Sequence, residues 1–468
     1  MSGIFKAYDI RGVVDLSGGE YSTQDNVLSP TRAYLIGRGL AAEVFRGAGP
    51  IVVSRDMRLH SPTLAAALIH GLAEGGCAVL DIGLAATPMN YWANVHYKSS
   101  GSVTVTASHN GPEYNGFKVS GAAATPVDYL SGLDRVETFV RRAETNGTPV
   151  AARPGTVTSA EGVLGDYLDF MDAFLAPGKR PLKIAVDAAN GMAGLFLAEF
   201  FARHDWLEAV PLYWELDGSF PNHEADPLKP ENLLNLQQQV KMHGCDFGVA
   251  FDGDADRCMF VDERGVSIAS DLTTALIAAA VLAETPGGPI LYDLRSSRVV
   301  PEWITEHGGI AVRGRVGHSF MKRLLRQKSA RFGGELSGHY YFADCFHTDS
   351  GLMAMIQVIN IWQQQATNSP AQVLPLSQMI APLRRYSATG ELNFHVSDVP
   401  HILSRVEHYF SRQGARLDHL DGLTVDCDGW WFNLRPSNTE PLLRLNLEAA
   451  TAPERESLLA QVKELIAG

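Results

Sequence analysis

The fold of this chain is indicated by an apolar run that ends in an acidic loop, Phe247-Gly248-Val249-Ala250-Phe251-Asp252-Gly253-Asp254-Ala255-Asp256-Arg257. Five successive apolar residues without polar alternation predict a strand that is buried on both faces. Similar short runs recur at residues 50–53, 78–80, 183–186 and 289–292, and residues 63–75 and 193–203 have helical spacing. This alternation predicts a doubly wound α/β sheet, with ligands at the strand ends.

The chain is also long enough for several domains. Its 468 residues predict three or four domains, at roughly 100 to 200 residues each. Three predicted strands end in similar polar turns that begin at Asp56, Asp187 and Asp293, which favours three related α/β units, although aspartate is common after any buried strand. A helix near 400–411 followed by strands near 430–434 and 443–447 predicts an α+β end domain. Polar stretches rich in Gly and Pro at 145–155 and 366–375 predict linkers.

Composition narrows the possible functions. Hydrophobic residues make up 46% of the chain and charged residues 19%, which is typical of a globular protein. A formal net charge of -13 disfavours binding to nucleic acid or to an anionic membrane surface. The five cysteines are scattered singly, so neither a disulfide framework nor a zinc site is indicated. Because the amino terminus also lacks an apolar signal segment, we expect a cytoplasmic protein with no membrane anchor.

A first candidate for chemistry is the run Thr106-Ala107-Ser108-His109-Asn110, which directly follows an alternating strand. It places a hydroxyl, an imidazole and an amide on one turn. Activation of a serine hydroxyl needs a base or a metal-bound phosphate beside it, and the pentapeptide alone supplies neither. Thr106 also stands where the G-x-S-x-G elbow of hydrolases requires glycine. On this segment alone, a capped turn remains the alternative.

The acidic loop is the second candidate. Asp252, Asp254 and Asp256 alternate along it, and three carboxylates in this pattern can converge on one hard divalent cation. Glu263 falls at the twelfth position of an EF-hand loop, but Arg257 occupies the glycine position and the flanks are strand-like, which disfavours that alternative. A solvated acidic turn is the other alternative. Magnesium fits better than calcium if a phosphate oxygen supplies a further ligand.

Three further segments carry polar groups on loops. The loop Gly333-Gly334-Glu335-Leu336-Ser337-Gly338-His339 combines glycines with a carboxylate that could bind two sugar hydroxyls. The run Arg435-Pro436-Ser437-Asn438-Thr439-Glu440-Pro441 offers a guanidinium, two hydroxyls and backbone donors for a phosphate. Near the amino terminus, Tyr8 and Arg11 could face one pocket. Tight or exposed turns remain alternatives for each segment.

In this order, the five segments resemble the α-D-phosphohexomutase superfamily, in particular its bacterial phosphomannomutase/phosphoglucomutase branch. The resemblance spans the whole chain and includes three further runs, Asp187-Ala188-Ala189-Asn190-Gly191, Asp217-Gly218-Ser219-Phe220-Pro221-Asn222 and Gly317-His318-Ser319. It implies an α/β fold of four domains around a central cleft, in which three related α/β domains with mixed sheets precede a C-terminal α+β domain. The expected domains are 1–152 with the serine loop, 153–264 with the metal loop, 265–372 with the sugar loop and 373–468 with the phosphate loop.

The resemblance also implies roles for individual residues. Ser108 would carry a phosphoryl group, with Mg²⁺ held by Asp252, Asp254, Asp256 and an oxygen on Ser108. The other catalytic residues implied are His109, Lys118, Arg11, Tyr8 and His339. The substrate-binding residues implied are Arg257, His318, Glu335, Ser337, Arg435, Ser437, Asn438 and Thr439.

The implied reaction is that of an isomerase, an intramolecular phosphotransferase of carbohydrate metabolism. It would interconvert hexose 6-phosphate and hexose 1-phosphate, of mannose and/or glucose, through a phosphoserine enzyme and a hexose 1,6-bisphosphate that turns end for end. Glucose 1,6-bisphosphate or mannose 1,6-bisphosphate would serve as activator. The expected partners are small hexose phosphates, with neither nucleic acid nor membrane, and the expected state is a monomer or a dimer.

The sequence departs from the family pattern at three positions. Gly111 stands where proline usually follows the Ser-His-Asn run, Ala255 replaces a common glycine, and Arg295 occupies a position often held by lysine. Asn438 favours mannose or glucose over amino sugars, whereas Leu336 is common in glucosamine enzymes. The alternatives are therefore a phosphoglucosamine mutase, a sugar phosphatase or a non-catalytic sugar-phosphate-binding protein.

Overall fold

The computed structural model describes residues 3–17, 24–147, 153–368, 373–436 and 442–467. The chain forms two compact units. Unit 1 comprises Met1–Ala269 and Ser337–Ser377, and unit 2 comprises Ser270–Leu336 and Gln378–Gly468. Among the residues described, no helix combines the length and the apolar character that crossing a membrane requires.

The first sheet of unit 1 is mixed and has the strand order β2-β1-β6-β5-β3-β4-β8, with β7 paired to β6. Strands β3, β4, β5 and β8 pair in parallel, whereas β6 pairs antiparallel with β1 and β5. The elements are β1 (Ile10–Val14), β2 (Val27–Leu28), α1 (Pro30–Gly39), β3 (Ile51–Arg55), α2 (Ser61–Glu74), β4 (Val79–Leu84), α3 (Thr87–His96), β5 (Gly101–Val105), β6 (Tyr114–Gly121), β7 (Pro126–Val127), α4 (Leu133–Asn146) and β8 (Val157–Ser159).

Helix α4 illustrates how the sequence builds this layer. Its buried residues are Leu133, Val136, Val140 and Ala143, and this spacing of three and four places them on one face of a helix. That face joins a core that also contains residues of α1 and α2 and of the central strands. Burial of this apolar stripe fixes the helix against the sheet.

The second sheet of unit 1 has the order β10-β9-β11-β12-β13, parallel from β10 to β11 and antiparallel beyond it. Every residue of β11 and β12 is buried, as expected for a central strand pair covered on both faces. The elements are α5 (Val163–Asp172), β9 (Leu182–Asp187), α6 (Gly194–Ala202), β10 (Leu207–Leu212), α7 (Leu234–His243), β11 (Phe247–Phe251), β12 (Cys258–Asp262) and β13 (Ser267–Ile268).

Unit 2 begins with a parallel arrangement in which β14 lies between β15 and β16. Its elements are α8 (Ser270–Glu284), β14 (Pro289–Asp293), α9 (Val299–Glu306), β15 (Ile310–Gly314), α10 (His318–Lys328) and β16 (Phe332–Gly334). The chain then returns to unit 1 with the antiparallel pair β17 (Tyr340–Phe342) and β18 (Thr348–Asp349) and the helix α11 (Gly351–Asn368).

The end of the chain is an antiparallel sheet of order β19-β23-β22-β21-β20 with two helices. Asp398 caps the first of these helices by accepting from the backbone N of His401, and Ile402, Val406 and Phe410 form its buried face. The elements are α12 (Leu376–Ile380), β19 (Ser387–His395), α13 (Val399–Ser411), β20 (Arg416–Asp418), β21 (Leu423–Cys427), β22 (Trp430–Pro436), β23 (Leu442–Ala449) and α14 (Ala452–Ala467).

The architecture confirms the α/β fold with mixed sheets and an α+β end domain. Strand β11 has the bounds that its apolar run predicted, and the other predicted strands and helices agree within a few residues. The linker predicted at 366–375 is wrong at its start, because α11 continues to Asn368. Residues 148–152 and 369–372 of the two predicted linkers lie outside the described residues.

Candidate active site

Ser108 lies on the turn that connects β5 to β6, directly after the buried strand that positions it. Its backbone is left-handed, with φ of 53°, which is uncommon for a residue that has a side chain. The backbone N of Ser108 donates to Thr106 Oγ1 at 2.9 Å, and Ser108 Oγ donates to Asp252 Oδ2 at 2.9 Å. The structure thus joins the serine loop to the acidic loop.

The acidic loop connects β11 to β12, and its three aspartates are completely buried. Oxygens of Asp252, Asp254 and Asp256 lie within 4.8 Å of one another. Burial raises the pKa of Asp252, as expected where like charges are crowded away from water. The EF-hand alternative is excluded, because strands flank the loop on both sides and the Glu263 carboxylate accepts hydrogen bonds from Ser377.

The donor set fits a hard divalent cation. Asp254 Oδ1 and Asp256 Oδ1 are buried and accept no hydrogen bond from any described residue. A buried carboxylate oxygen without a donor is costly unless a cation neutralises it, and carboxylates are the ligands that Mg²⁺ and Ca²⁺ prefer. The acidic loop can therefore hold a metal ion.

Lys118 projects from β6 to the same carboxylates. Its Nζ lies 2.6 Å from Asp254 Oδ2 and 2.5 Å from Asp256 Oδ2. Burial alone would lower the pKa of Lys118, but the attraction of Asp254 and Asp256 outweighs it, so the pKa lies above its ordinary value. Lys118 is therefore a buried, permanently protonated ammonium group at the acidic loop.

His109 and Arg257 complete the surroundings of the serine hydroxyl. His109 Nδ1 lies 3.4 Å from Ser108 Oγ. Burial, followed by the positive charges of Arg257 and Arg11, holds the pKa of His109 well below its usual range, so the imidazole is neutral. Arg257 Nε donates to Asp252 Oδ2 at 3.0 Å, whereas its Nη2 is buried with no hydrogen-bond partner in the described part of the chain.

The amino-terminal segment reaches the same loop. Arg11, at the second position of β1, donates to Asn110 Oδ1 at 2.6 Å and to Asp9 Oδ2 at 2.5 Å. Tyr8 is half-buried and directly precedes this pair along the chain. Arg11 is thus placed beside the serine loop, as the sequence predicted.

Two residues of the glycine-rich loop lie in unit 1 and meet the acidic loop there. His339 Nε2 lies 3.6 Å from Asp256 Oδ1 and 3.8 Å from Asp349 Oδ2. Ser337 Oγ lies 3.0 Å from His339 Nδ1. The backbone N of Cys258 donates to the carbonyl oxygen of Gly338 at 3.1 Å, which fixes this loop beside β12.

The remaining predicted residues belong to unit 2. The buried carboxylate of Glu335 accepts from the backbone N of Gly317 at 2.8 Å, next to His318 at the start of α10. Arg435 Nη2 donates to Glu391 Oε2 at 2.5 Å. Ser437, Asn438 and Thr439 lie outside the described residues.

Glu391 is the centre of a basic group that the sequence did not predict. Besides Arg435, Arg295 Nη1 lies 3.7 Å from Glu391 Oε2 and Arg444 Nη1 lies 3.3 Å from Oε1. Burial would raise the pKa of Glu391, but Arg435, Arg295 and Arg444 together lower it. Arg295 is also held by Asp293, through a contact of 2.6 Å from Nη2 to Oδ2, so it serves here as a fixed charge.

In unit 1, Thr87 and Asp349 are polar residues at the site that sequence reasoning missed. Thr87 Oγ1 donates to Asp254 Oδ2 at 2.5 Å, although 167 positions separate the two residues. Asp349 is completely buried beside His339. No local signal marks either residue, because each follows an ordinary strand or loop and is selected only by the tertiary fold.

A serine hydroxyl bonded to a metal-binding carboxylate, with a neutral imidazole and fixed cations beside it, is the arrangement of a phosphotransferase. The comparisons with known proteins agree. Four models describe domains I, II and III and the C-terminal domain of phosphoglucomutase/phosphomannomutase, and they match residues 2–144, 166–265, 269–379 and 391–465. The chain belongs to the phosphoglucomutase/phosphomannomutase family and is an enzyme of the mutase type.

Relatives are similar over nearly the whole chain. A protein of Xanthomonas campestris pv. campestris named "Phosphohexose mutases" is 38% identical over 99% of both chains. A phosphomannomutase of Methanocaldococcus jannaschii is 36% identical over 99% of this chain and 97% of its own. A crystal structure of a phosphoglucomutase/phosphomannomutase family protein from Burkholderia thailandensis is 31% identical, with a TM-score of 0.86 over 99% of this chain and 97% of its own.

Proposed function

We propose that this enzyme interconverts the 6-phosphate and the 1-phosphate of mannose and/or glucose. The observation that carries the proposal is the 2.9 Å hydrogen bond from Ser108 Oγ to Asp252 Oδ2, which places a buried hydroxyl at a metal-binding loop. The names of its relatives include both phosphomannomutase and phosphoglucomutase, which supports a hexose phosphate as substrate without selecting one sugar.

Ser108 is the proposed carrier of the phosphoryl group. The bond from Ser108 Oγ to phosphorus breaks, a bond from the free hydroxyl oxygen of the hexose phosphate to phosphorus forms, and a hexose 1,6-bisphosphate results. After the bisphosphate has turned end for end, its other phosphoryl group returns to Ser108. The same bisphosphate, of glucose or mannose, would act as activator by phosphorylating Ser108.

The protonation states of two neighbours support separate roles in this transfer. The neutral imidazole of His109 can accept the proton that the attacking sugar hydroxyl loses. Lys118 keeps its proton and is therefore suited to stabilising negative charge. Arg11 and Tyr8 are the proposed contacts of the transferred group, and His339, close to Asp256, is the proposed catalytic group on the opposite loop.

Mg²⁺ is the proposed metal, held by Asp252, Asp254, Asp256 and an oxygen on phosphorylated Ser108. When bound, it would neutralise charge on the transferring phosphoryl group. For binding of the sugar we propose Glu335 and Ser337, together with Arg257 and His318. For the phosphate that does not react we propose Arg435, Ser437, Asn438 and Thr439. Glu335 does not distinguish mannose from glucose if it binds the 3- and 4-hydroxyls, which supports dual specificity.

Two measurements test this proposal. Intact mass before and after treatment with glucose 1,6-bisphosphate should show one phosphoryl group that maps to Ser108 and is absent from Ser108→Ala. Coupled assays on mannose 1-phosphate, glucose 1-phosphate and glucosamine 1-phosphate should show conversion of the first two to 6-phosphates. Conversion of glucosamine 1-phosphate alone would make the enzyme a phosphoglucosamine mutase. Release of inorganic phosphate without isomerisation would make it a phosphatase, and no turnover would make it a binding protein.

A further inference from the structure

Arg58 makes an unusual set of contacts with the backbone of the serine loop. It lies between β3 and α2, and it is among the largest completely buried side chains. Its Nη2 donates to the carbonyl oxygens of Ser108 at 2.7 Å and Asn110 at 2.6 Å. Its Nη1 donates to the carbonyl oxygens of Gly111 at 2.6 Å and Tyr114 at 3.1 Å. One guanidinium therefore holds four carbonyl groups of a single turn.

The guanidinium is itself fixed from two sides. Arg58 Nε donates to Asp56 Oδ2 at 3.1 Å, and Asp56 Oδ1 accepts from the backbone N of Arg58 at 3.0 Å and from Ser61 Oγ at 2.5 Å. On the other side, Arg58 Cζ lies 5.0 Å from the centre of the Phe220 ring, within the range of a cation–π contact.

The loop that carries Phe220 approaches very closely. A β-carbon on Gly218 would lie 2.6 Å from the α-carbon of Arg58. This contact gives a structural role to the run 217–222, which the proposed chemistry does not use.

Such fixation is needed because of the conformation of Ser108. A left-handed backbone persists at a non-glycine residue only where its surroundings determine it. Gly111 adds little stiffness of its own, since glycine has the greatest backbone freedom. The hydrogen bonds of Arg58 to the carbonyl oxygens of Ser108 and Gly111 supply that determination from outside the loop.

We propose that Arg58 is a positioning residue for the phosphotransfer reaction. It acts through the backbone of residues 108–114, holds the Ser108 hydroxyl at the acidic loop, and touches neither the sugar nor the metal ligands. This inference rests on the proposed function of Ser108. A lysine cannot replace the arginine, because an ammonium group has three donors and no planar fork, whereas Arg58 already uses its Nε and both Nη nitrogens.

The test compares Arg58→Lys with Arg32→Lys in the full-length enzyme. Arg32 is a suitable control, because it is also buried and donates to two carbonyl groups, those of Gln24 and Val27, away from the serine loop. Arg58→Lys should lower kcat by about 10- to 100-fold, because the reacting hydroxyl is misplaced, and leave KM for the sugar phosphate unchanged. Arg32→Lys should leave kcat and KM unchanged. Equal kcat in the two variants would overturn the proposal.

Chemical rescue provides a readout that a purely structural role would not move. In Arg58→Ala, guanidinium ion at a non-denaturing concentration should restore part of kcat, whereas ammonium ion should not. Rescue by neither ion in a folded variant would count against the proposal. If neither Arg58 variant folds, Phe220→Leu decides, because it keeps every hydrogen bond of the guanidinium: a lower kcat at constant KM supports positioning, and wild-type kcat contradicts it. Failure of wild-type Ser108 to take up phosphate would instead refute the proposed function.

Discussion

Gly253 of the acidic loop faces the carbonyl oxygen of Ser108 so closely that a β-carbon on the glycine would lie 2.3 Å from that oxygen. The atom in the way belongs to the backbone, so it cannot rotate aside as the end of a side chain could. Gly253 therefore allows the serine loop and the acidic loop to come into direct contact. This contact is what brings Ser108 Oγ within hydrogen-bond distance of Asp252.

Gly253→Ala should separate the two loops and impair transfer. A displacement of about 1 Å at a reacting group can cost about 100-fold in rate, so we expect kcat to fall by about that factor. Phosphorylation of Ser108 by glucose 1,6-bisphosphate, followed by intact mass, should slow in parallel. Wild-type kcat in a folded Gly253→Ala protein would show that the contact between the loops does not matter.

Ala255→Gly is the opposite exchange in the same loop. Ala255 has φ of 61°, a left-handed conformation that costs a residue with a β-carbon roughly 1 to 2 kcal/mol, whereas glycine adopts it freely. After the larger entropy of glycine in the unfolded chain is subtracted, we expect the free energy of unfolding to rise by about 0.5 kcal/mol. A denaturant titration measures this, with kcat as a control that should stay near wild type. A less stable variant would contradict the argument.

Gly111→Ala tests whether the missing proline leaves the serine loop loose. A β-carbon at Gly111 would meet only the carboxylate of Glu113, at 2.6 Å from Oε2, which is the free end of a flexible side chain. The φ of Gly111 lies outside the left-handed region, and its carbonyl is held by Arg58. We expect unchanged kcat and a gain of about 0.5 kcal/mol in unfolding free energy, because alanine restricts the unfolded chain. A large loss of kcat would show that the loop needs the freedom of glycine.

The sequence predicted well the features that depend on neighbouring residues. Strand β11 is an apolar run because both its faces are covered, and the alternating carboxylates that follow it announce a cation loop. Ser108 was different, because its pentapeptide fits a capped turn equally well. Its hydroxyl is identified by Asp252, which lies 144 positions away along the chain, so no local pattern could decide the question.

Buried polar partners were the least predictable part of the site. Arg58 was visible only as part of a repeated polar turn, and its four carbonyl acceptors lie 50 or more positions away. Glu391 was recognised as part of a family motif without its three arginine partners. In both cases the tertiary fold selects the partners, since a buried charge must find a hydrogen-bonded counterpart wherever the chain brings one.

Lys118→Met should separate metal binding from catalysis. The Lys118 ammonium contacts two carboxylates of the acidic loop, so it competes with a cation for their charge. A unit charge at about 4 Å in a partly screened site is worth a few kcal/mol, and its removal should tighten Mn²⁺ binding at least about tenfold. Transfer should nevertheless fall, because the stabilising charge is lost.

Titration with Mn²⁺ followed by electron paramagnetic resonance measures this affinity. Lys118→Arg, which keeps the charge, is the matched control and should bind Mn²⁺ about as the wild type does. The metal-free Lys118→Met protein should also melt at a lower temperature, because buried carboxylates lose their counter-charge, and added metal should restore the melting temperature. Weaker Mn²⁺ binding by Lys118→Met would contradict this account.

Asp271, in the first turn of α8 in unit 2, should make stability depend on pH. Burial raises its pKa from 3.8 to about 6, partly offset by hydrogen bonds from the backbone N of Ser297 and of Leu272, and the nearby Glu448 adds to the increase. Because the folded pKa is higher than the unfolded one, folding favours the protonated carboxyl, and the stability it contributes is lost as pH rises from about 4 through 6.

Asp271→Asn removes this titration, so the variant should gain on the wild type as pH rises. A difference of about two pKa units corresponds to about 3 kcal/mol, less about 1 kcal/mol for a weakened hydrogen bond to the amide that replaces the carboxylate. Calorimetric melting of both proteins between pH 4.5 and 8 should show a difference in melting temperature that grows up to about pH 6 and is constant above it. Asp246→Asn, whose carboxyl is also buried with a raised pKa but lies in unit 1, shows whether the effect is confined to unit 2. A difference that instead grows on acidification would mean that Asp271 is stabilised in its charged form.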